Sequence, residues 1–386
     1  MKIGILGTYC TKFGELWDKN LEDLLAEAML GVIKNSNITT KDINEIFVGN
    51  MCSGLFANQL NLGAMATEIL GIHVASTVVE GACASGSVAL RAGIQAIESG
   101  SAKIVLVVGA EKMTDVDTAT FTAGLSSAAS EEWEQLHGVT FPGVFGLISR
   151  AYMNKYGLTR KQMASSSVRN HKNGVLNPIA HIRKKITIDN VINAPMVADP
   201  LTLLDCSPIS DGAAAIILCS PEIAEQNKKN VFIIGSGQAS DTLCISKRTT
   251  LTSLHATKIA AQNAYKQANC KPENIDVAEV HDGFSIAEII GLEDLGFCKP
   301  GTAGKEIESG NTDLNSKISI NPSGGLKSKG HPVGATGIAQ AVEIVNQLDG
   351  TCKERQVKNA TIGLTHNVGG SGSTVCVHVL KKMSTK

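Results

Sequence analysis

Two segments of the chain carry the same order of strand, helix and strand. The matched pairs are Ile5-Leu6-Gly7 with Ile233-Ile234-Gly235, residues 24–33 with residues 259–268, and residues 42–48 with residues 274–280. Their offset stays near 230 residues, since 233 minus 5 is 228 and 275 minus 43 is 232. A near-constant offset across three elements indicates an internal duplication. Because strands alternate with helices in each copy, the sequence predicts two mostly parallel α/β halves packed into one layered body.

The length of 386 residues favours such a pair of halves with an insertion, because it exceeds one ordinary core. We expect an N-terminal half over residues 1–117 and 206–229, and a C-terminal half over residues 230–386. Residues 118–205 are rich in Ser, Ala, Gly and Pro, and we predict an inserted loop domain that covers one face of the body. Ligand sites in such folds lie in the loops beyond the carboxyl ends of the strands.

Charge and cysteine usage exclude several classes of partner. The formal net charge is -1, so nothing global favours nucleic acid or an anionic membrane. The ten cysteines show no paired spacing for zinc, and their places within apolar runs favour free thiols in a reducing compartment. The N-terminus enters a strand directly, and no apolar run approaches the roughly 20 residues needed to cross a bilayer. We therefore expect a cytoplasmic protein without a metal and without a membrane segment.

Cys83 lies on a glycine-flanked bend between an apolar strand and an apolar-striped helix. Apolar residues from Val88 onward recur mostly every three or four positions, as on the buried face of a helix. A helix N-terminus stabilises a thiolate, so this position predicts a nucleophile with a pKa below roughly 8.5. The small residues around it leave room for a substrate carbonyl and for backbone N–H groups that hold an oxyanion. The alternative is a cysteine packed in the core.

Residues 151–188 carry eight Lys and Arg residues and no Asp or Glu. Such a run is usually a solvated face. The alternative is a cradle for the phosphates of a nucleotide-like carrier, with Arg183 and Lys184 as candidate contacts.

Three histidines in the C-terminal half are predicted to follow strands and to lie beside glycines. His281 opens His-Asp-Gly-Phe-Ser, His331 lies in Gly-His-Pro-Val-Gly-Ala-Thr-Gly, and His366 opens His-Asn-Val-Gly-Gly-Ser-Gly. Each alone is compatible with a histidine hydrogen-bonded inside a turn. Together they predict the base and the oxyanion donors that a cysteine nucleophile needs near neutral pH. Metal binding fits less well, because no carboxylate or cysteine stands at fixed spacing beside them.

The elbow Ala82-Cys83-Ala84-Ser85-Gly86, the His331 loop and the tail Asn367-Val368-Gly369-Gly370 resemble the thiolase superfamily. The resemblance covers essentially the whole chain, and His-Asp-Gly-Phe and His-Asn-Val-Gly-Gly look most like the archaeal acetoacetyl-CoA thiolases and the sterol-carrier-protein type. It implies a duplicated αβαβα layered fold. It also implies an acyl-CoA C-acetyltransferase that makes or cleaves 3-ketoacyl-CoA, with coenzyme A as the substrate carrier and no further cofactor.

The resemblance also implies a role for each motif. Cys83 would be acylated, His331 would deprotonate it, and His281 would donate to one oxyanion hole. Backbone N–H groups of Cys83 and of the loop at Gly369 and Gly370 would form the second oxyanion hole.

The chain departs from the family pattern at the second catalytic cysteine. Common members carry that cysteine where this chain has His366, and the sterol-carrier-protein branch carries it where this chain has Gly283. Some other base must then deprotonate C2 of acetyl-CoA. His366 and His281 are the candidates, and Cys52 is a weaker one.

Two other functions are compatible with the same residues. A set of Cys83, His281 and His331 also suits a decarboxylating ketoacyl synthase. Archaeal relatives are held with HMG-CoA synthase by a small zinc-containing OB-fold protein, so the chain is alternatively a subunit active only with such a partner. The resemblance implies a homodimer or a dimer of dimers, and we expect its interface at a sheet edge near the strand over residues 103–108.

Overall fold

The computed structural model describes residues 1–383 of the chain. Its strands are β1 (Ile3–Cys10), β2 (Glu45–Gly49), β3 (Ala75–Val79), β4 (Ile104–Glu111), β5 (Met196–Ala198), β6 (Leu201–Thr202), β7 (Gly212–Cys219), β8 (Val231–Ser240), β9 (Val277–Val280), β10 (Ser319–Ile320), β11 (Ile362–Gly369) and β12 (Thr374–Lys382).

Helices alternate with these strands in both halves. They are α1 (Leu21–Lys34), α2 (Ser53–Phe56), α3 (Leu62–Leu70), α4 (Ser85–Glu98), α5 (Thr118–Ser126), α6 (Phe141–Tyr156), α7 (Arg160–Gly174), α8 (Ile188–Ile192), α9 (Pro221–Gln226), α10 (His255–Ala268), α11 (Ser285–Asp294), α12 (Ala303–Glu308), α13 (Gly325–Lys329) and α14 (Val333–Asp349).

One continuous sheet joins the two halves, in the order β10-β9-β11-β12-β8-β1-β7-β4-β2-β3. The halves meet where β1 pairs antiparallel with β8, with Ile3 opposite Ile233 and Gly4 opposite Phe232. Strand β2 runs parallel to β3 and β4, and β9 runs parallel to β10 and β11. The expected mixed α/β architecture is therefore confirmed, but the expectation of mostly parallel halves is wrong, because five of the nine strand pairings in this sheet are antiparallel.

Helices α4 and α14 pack against each other between the two halves of the sheet. Small residues allow this close approach at the helix starts. A Cβ at Gly86 would lie 2.6 Å from the carbonyl oxygen of Gly334, and a Cβ at Gly337 would lie 2.3 Å from Ser87 Oγ. Because no side chain can occupy these positions without a shift, the N-termini of the two helices can come together.

The sheet edge lies elsewhere than predicted. Strand β4, which includes residues 104–108, lies between β2 and β7 and is buried along its whole length. The exposed edge of the N-terminal half is β3, where Val78 is 42% exposed. The apolar run at 104–108 therefore belongs to a central strand that is buried on both faces. Its sequence alone does not distinguish it from an edge strand that pairs with a second chain.

The segment over residues 118–205 contributes α5 to α8 and the separate β5–β6 ribbon. Helix α7 packs on α11, α12 and α13 of the C-terminal half. In residues 1–383 no helix has the length and apolar character to cross a membrane. Over the same residues no cluster of three His, Cys, Asp or Glu side chains could hold a metal ion.

Candidate active site

A cavity of about 350 Å³ lies where the two halves and the inserted segment meet. Most of its lining is apolar and includes Met113, Phe121, Leu125, Phe141 and Phe284. The side chains of Cys83, His281 and His331 also line it, together with Gly370. The structure thus brings four of the predicted site residues to one cavity.

Cys83 lies in a 3-10 turn over residues 82–84, between the end of β3 and the start of α4. Ala82 has a φ of 52°, a left-handed conformation that L-residues rarely adopt outside functional turns. Burial raises the pKa of the Cys83 thiol to about 12, although N–H groups of Gly370 and of Cys83 itself oppose this. Burial therefore opposes the low pKa expected for this position, because loss of hydration outweighs the local N–H groups. The thiol needs a base.

His331 is oriented by Thr336. The hydroxyl of Thr336 donates to the carbonyl of Pro332 at 2.9 Å, so it accepts from Nδ1 of His331 at 2.7 Å. In the neutral ring this leaves Nε2 with a free lone pair. Burial lowers the pKa of His331 to about 3, which keeps the ring neutral. His331 is thus arranged as a proton acceptor.

His281 carries its proton on the other nitrogen. The backbone N–H of Val368 donates to Nδ1 of His281 at 3.3 Å, so in the neutral ring Nε2 bears the hydrogen. Burial, with smaller contributions from His331, His366 and Lys327, lowers the pKa of His281 well below its usual value. The two rings meet edge to face with centroids 5.2 Å apart. The cavity therefore presents one imidazole acceptor and one imidazole donor.

Asn367 was not singled out from the sequence as a site residue. Its Nδ2 donates to the carbonyl oxygen of Cys83 at 3.0 Å and lies 3.3 Å from Nδ1 of His281. It therefore ties the elbow of the N-terminal half to the histidine of the C-terminal half. Side chains alternate along a strand, and this alternation could have identified Asn367 once the span of β11 was known.

His366 lies inside β11 rather than at a strand exit, which corrects the placement predicted for it. Its Nε2 pairs with the hydroxyl of Thr257 on α10 at 3.0 Å. A Cβ at Gly291 on α11 would lie 3.2 Å from the ring. His366 thus packs under the helices, is fully buried, and does not line the cavity.

The glycine-rich tail approaches the elbow closely. A Cβ at Gly369 would lie 2.2 Å from the carbonyl oxygen of Gly81, so only glycine fits there. Gly370 has a φ of 58°, lines the cavity and directs its N–H to the thiol of Cys83. The backbone of this loop is therefore able to stabilise a negative charge that develops near Cys83.

Three weaker candidates lie outside the cavity lining. Arg183 is exposed and donates to the carbonyl of Val175 at 3.1 Å, and the carbonyl of Lys184 contacts Nδ1 of His171 at 3.0 Å. Cys52 is buried, and its N–H donates to Glu111 at 2.9 Å. None of them lines the cavity that contains Cys83.

Glu111 joins the halves behind the cavity. It accepts hydrogen bonds from the N–H groups of Met51 at 3.1 Å, Cys52 at 2.9 Å and Gly334 at 3.0 Å. Burial raises the pKa of Glu111 to about 7 in spite of these donors. The start of α14, and with it the end of the His331 loop, is thereby held to the loop that follows β2.

Comparisons with known proteins place the whole chain among related proteins. A family model described as thiolase, N-terminal domain, matches residues 3–222, and one described as thiolase C-terminal domain-like matches residues 237–382. An acetyl-CoA acetyltransferase of Methanothermobacter thermautotrophicus is 47% identical over 98% of this chain and 99% of its own. Sterol carrier protein 2 of Bos taurus is 33% identical over 97% of this chain and 71% of its own. A solved structure titled Ltp2-ChsH2(DUF35) aldolase superimposes with a TM-score of 0.86 at 22% identity, covering 100% of this chain and 99% of that one.

Proposed function

This chain belongs to the thiolase family, and on that premise we propose that it transfers acetyl groups between coenzyme A thioesters through an acyl group on Cys83. Its reaction is the formation or cleavage of acetoacetyl-CoA or a related 3-ketoacyl-CoA. The observation that carries the proposal is the pair of opposite histidine tautomers beside one thiol. A proton acceptor and a proton donor in one cavity are what acyl transfer to a thiol needs.

In the first step, Nε2 of His331 takes the proton of the Cys83 thiol as the sulfur attacks the thioester carbonyl carbon. The carbonyl oxygen gains negative charge in the tetrahedral intermediate. The donors aimed at this region, His281 Nε2–H and the Gly370 N–H, supply the stabilisation that such an oxyanion requires. When the intermediate collapses, coenzyme A leaves and Cys83 carries the acyl group.

Replacement of Cys83 tests the proposal. We expect Cys83→Ala to abolish CoA-dependent loss of acetoacetyl-CoA, because the proposed acyl intermediate forms on this sulfur. Cys270→Ala is the matched control, since Cys270 lies just beyond α10, outside the cavity lining. Unchanged turnover by Cys83→Ala would end the proposal.

A decarboxylating synthase is the second candidate, favoured by the same pair of histidines beside a cysteine. It would condense malonyl thioesters and show little reaction with acetyl-CoA alone. Side-by-side assays with both donors separate the two functions, and faster reaction with malonyl-CoA favours the synthase.

We also propose an assembly through the open edge of the N-terminal half. The exposed edge of β3 supports a homodimer or dimer of dimers, because an unpaired edge strand favours pairing with a second chain. The likeness to a chain solved with a DUF35 protein supports a test for a DUF35-type OB-fold partner, with or without HMG-CoA synthase. Light scattering of the purified protein, alone and with such a partner, measures both associations.

Three further features stay proposals. Arg183 and Lys184 lie outside the cavity lining, so they would contact coenzyme A phosphates beyond it. If they bind the phosphates, their substitution by Ala should raise KM for CoA.

The ten unpaired cysteines favour a reducing compartment, which supports a cytoplasmic location. The division into residues 1–117 with 206–229, residues 118–205 and residues 230–386 is testable by limited proteolysis.

A further inference from the structure

A second thiol lines the cavity that contains Cys83. Cys206 lies just after the short turn over residues 203–205 and is free. It forms an antiparallel bridge with Phe284, and the N–H of Ser207 donates to the carbonyl of Gly283 at 2.9 Å. Side chains of bridged residues lie on the same face of the pair, and Phe284 also lines the cavity. The thiol of Cys206 therefore belongs to the part of the cavity lining that follows the inserted segment.

Few groups in this cavity can accept a proton. Its titratable lining residues, within the described chain, are Cys83, Cys206, His281 and His331, with no carboxylate among them. Cys83 is acylated when C2 of the second substrate must lose a proton. Nε2 of His281 already bears a hydrogen. His331 already holds the proton that it took from Cys83, so it is not free to take a second one.

Gly283 leaves open the space between Cys206 and His281. A Cβ at position 283 would lie 3.1 Å from Nε2 of His281, so a side chain there would crowd the donor. The glycine therefore keeps the space beside His281 clear for a substrate between the donor and the second thiol.

The surroundings of Cys206 keep its thiol protonated before the reaction begins. Its Sγ donates to the carbonyl of Thr202 at 3.5 Å. Burial raises its pKa to about 12, with a further rise from Asp205 and a lowering by Lys327. Once that proton has passed to the departing coenzyme A, the thiolate that remains is able to take a proton from carbon.

We propose that Cys206 is the second catalytic thiol, the acid and base that serves the CoA leaving group and C2 of the acetyl donor. This inference rests on the proposed acyl transfer through Cys83. The sequence motifs of the family do not point to position 206, because the two familiar positions are occupied here by His366 and Gly283.

The protons and bonds balance over the two halves of the reaction. In the first half, the Cys206 thiol gives its proton to the departing CoA thiolate and becomes a thiolate. In the second half, that thiolate takes a proton from C2 of acetyl-CoA. The resulting carbanion attacks the acetyl carbon on Cys83, the carbon–sulfur bond to Cys83 breaks, and the Cys83 thiolate recovers its proton from His331.

Separate measurement of the two halves tests the inference. Wild type, Cys206→Ala, Cys206→Ser and the control Cys270→Ala are incubated with radiolabelled acetyl-CoA, and both protein-bound acetyl and acetoacetyl-CoA are measured. We expect both Cys206 variants still to accumulate acetyl on Cys83, more slowly because the departing CoA loses its proton donor, and to lose condensation by about 100-fold or more. Residual condensation should show a larger isotope effect with deuterated acetyl-CoA, because removal of the C2 proton then limits the rate.

The serine variant controls for folding, since its hydroxyl keeps the hydrogen bond to Thr202 but does not ionise readily. Condensation at the wild-type rate in either variant would overturn the assignment, and so would loss of protein-bound acetyl together with condensation in both. Failure of the proposed function is a different result, namely labelled acetyl on the protein or full turnover in Cys83→Ala.

Discussion

The two halves of the molecule share one kind of connection, from a strand to a central helix, and we propose opposite chemical roles for the two connections. In the N-terminal half residues 80–84 lead directly from β3 to α4 and carry the thiol. In the C-terminal half residues 321–332 lead from β10 to α14, contain α13, and carry His331. Because α4 and α14 pack together, the two connections end at one cavity. Each half alone supplies only one member of the nucleophile and base pair.

The surroundings of the two connections differ as much as their roles. Glu80 is exposed and Cys83 half-buried, whereas residues 321–332 are buried throughout. The buried loop contains Lys327, whose Nζ donates to the carbonyl oxygen of Asp282 at 3.1 Å. Asp282 in turn accepts from the N–H of Leu326 at 2.6 Å. The imidazole of His331 is therefore held in a buried loop that contains charged, hydrogen-bonded side chains, whereas the thiol of Cys83 lies on a tight turn at a helix start.

The largest effect should come from removal of His331, the proton acceptor that the C-terminal half contributes to the cavity. We expect His331→Ala to slow acetylation of Cys83 by about 10² to 10⁴-fold, because the buried thiol loses its proton acceptor. Rapid-quench measurement of protein-bound acetyl checks this. An acetylation rate equal to wild type would show that another group ionises Cys83.

Removal of the donor in the same half should have the next largest effect. We expect His281→Ala to lower kcat by about 10² to 10³-fold, the usual cost of one oxyanion donor. Its effect on KM for acetyl-CoA should be small, because the donor acts on charge that develops only in the transition state. Steady-state kinetics separates the two constants, and a change confined to KM would contradict the role.

Acid should destabilise the C-terminal half more than the N-terminal half. Burial lowers the pKa of His331 and His366 to about 3 and of His378 to about 4, and lowers that of His281 as well. Below the usual histidine pKa of about 6.5, each of these four histidines binds a proton in the unfolded chain but stays neutral in the folded chain. Protonation therefore favours the unfolded chain as the pH falls.

Two carboxylates oppose this effect. The pKa values of Glu111 and Glu279 rise to about 7, so the folded chain keeps two protons there that the unfolded chain loses above about pH 4.5. The lowered pKa values of the four buried histidines outweigh the raised pKa values of these two carboxylates, so we expect a net loss of stability as pH falls from 6.5 towards 5. Urea unfolding at several pH values measures the slope, and a flat profile would contradict the neutral histidines.

The smallest effect should come from a change in the contact between α4 and α14, called here the helix seam. A Cβ at Gly337 would lie 2.3 Å from Ser87 Oγ and 2.4 Å from Asn367 Oδ1. We expect Gly337→Ala to cost about 1 to 3 kcal/mol in unfolding free energy and to lower activity, because α14 must shift away from α4.

Gly100→Ala is the matched control for the seam. Gly100 has a φ of 78° and open space around it, so Ala there costs about 1 kcal/mol of backbone strain without moving the site. Equal activity losses in the two variants would contradict the role of the seam.

The sequence predicted the duplication and the family because both depend on local patterns. Spacing of apolar residues identified the helix after Cys83, and the family resemblance is confirmed by the two matching models. The misplaced features depend on tertiary context. The position of His366 inside β11 follows from the register of a strand that extends to Gly369. The cavity position of Cys206 depends on its bridge to Phe284, distant in sequence.

The pairing of a thiol from one half with a base from the other is tested most directly by mapping acetyl on the protein. Wild type, Cys83→Ala and His331→Ala are mixed briefly with acetyl-CoA, quenched and digested for mass spectrometry. The account predicts acetyl on the peptide that contains Cys83 in wild type, none there in Cys83→Ala, and slow appearance in His331→Ala. Acetyl that accumulates on another residue, or that reaches Cys83 equally fast without His331, would contradict it.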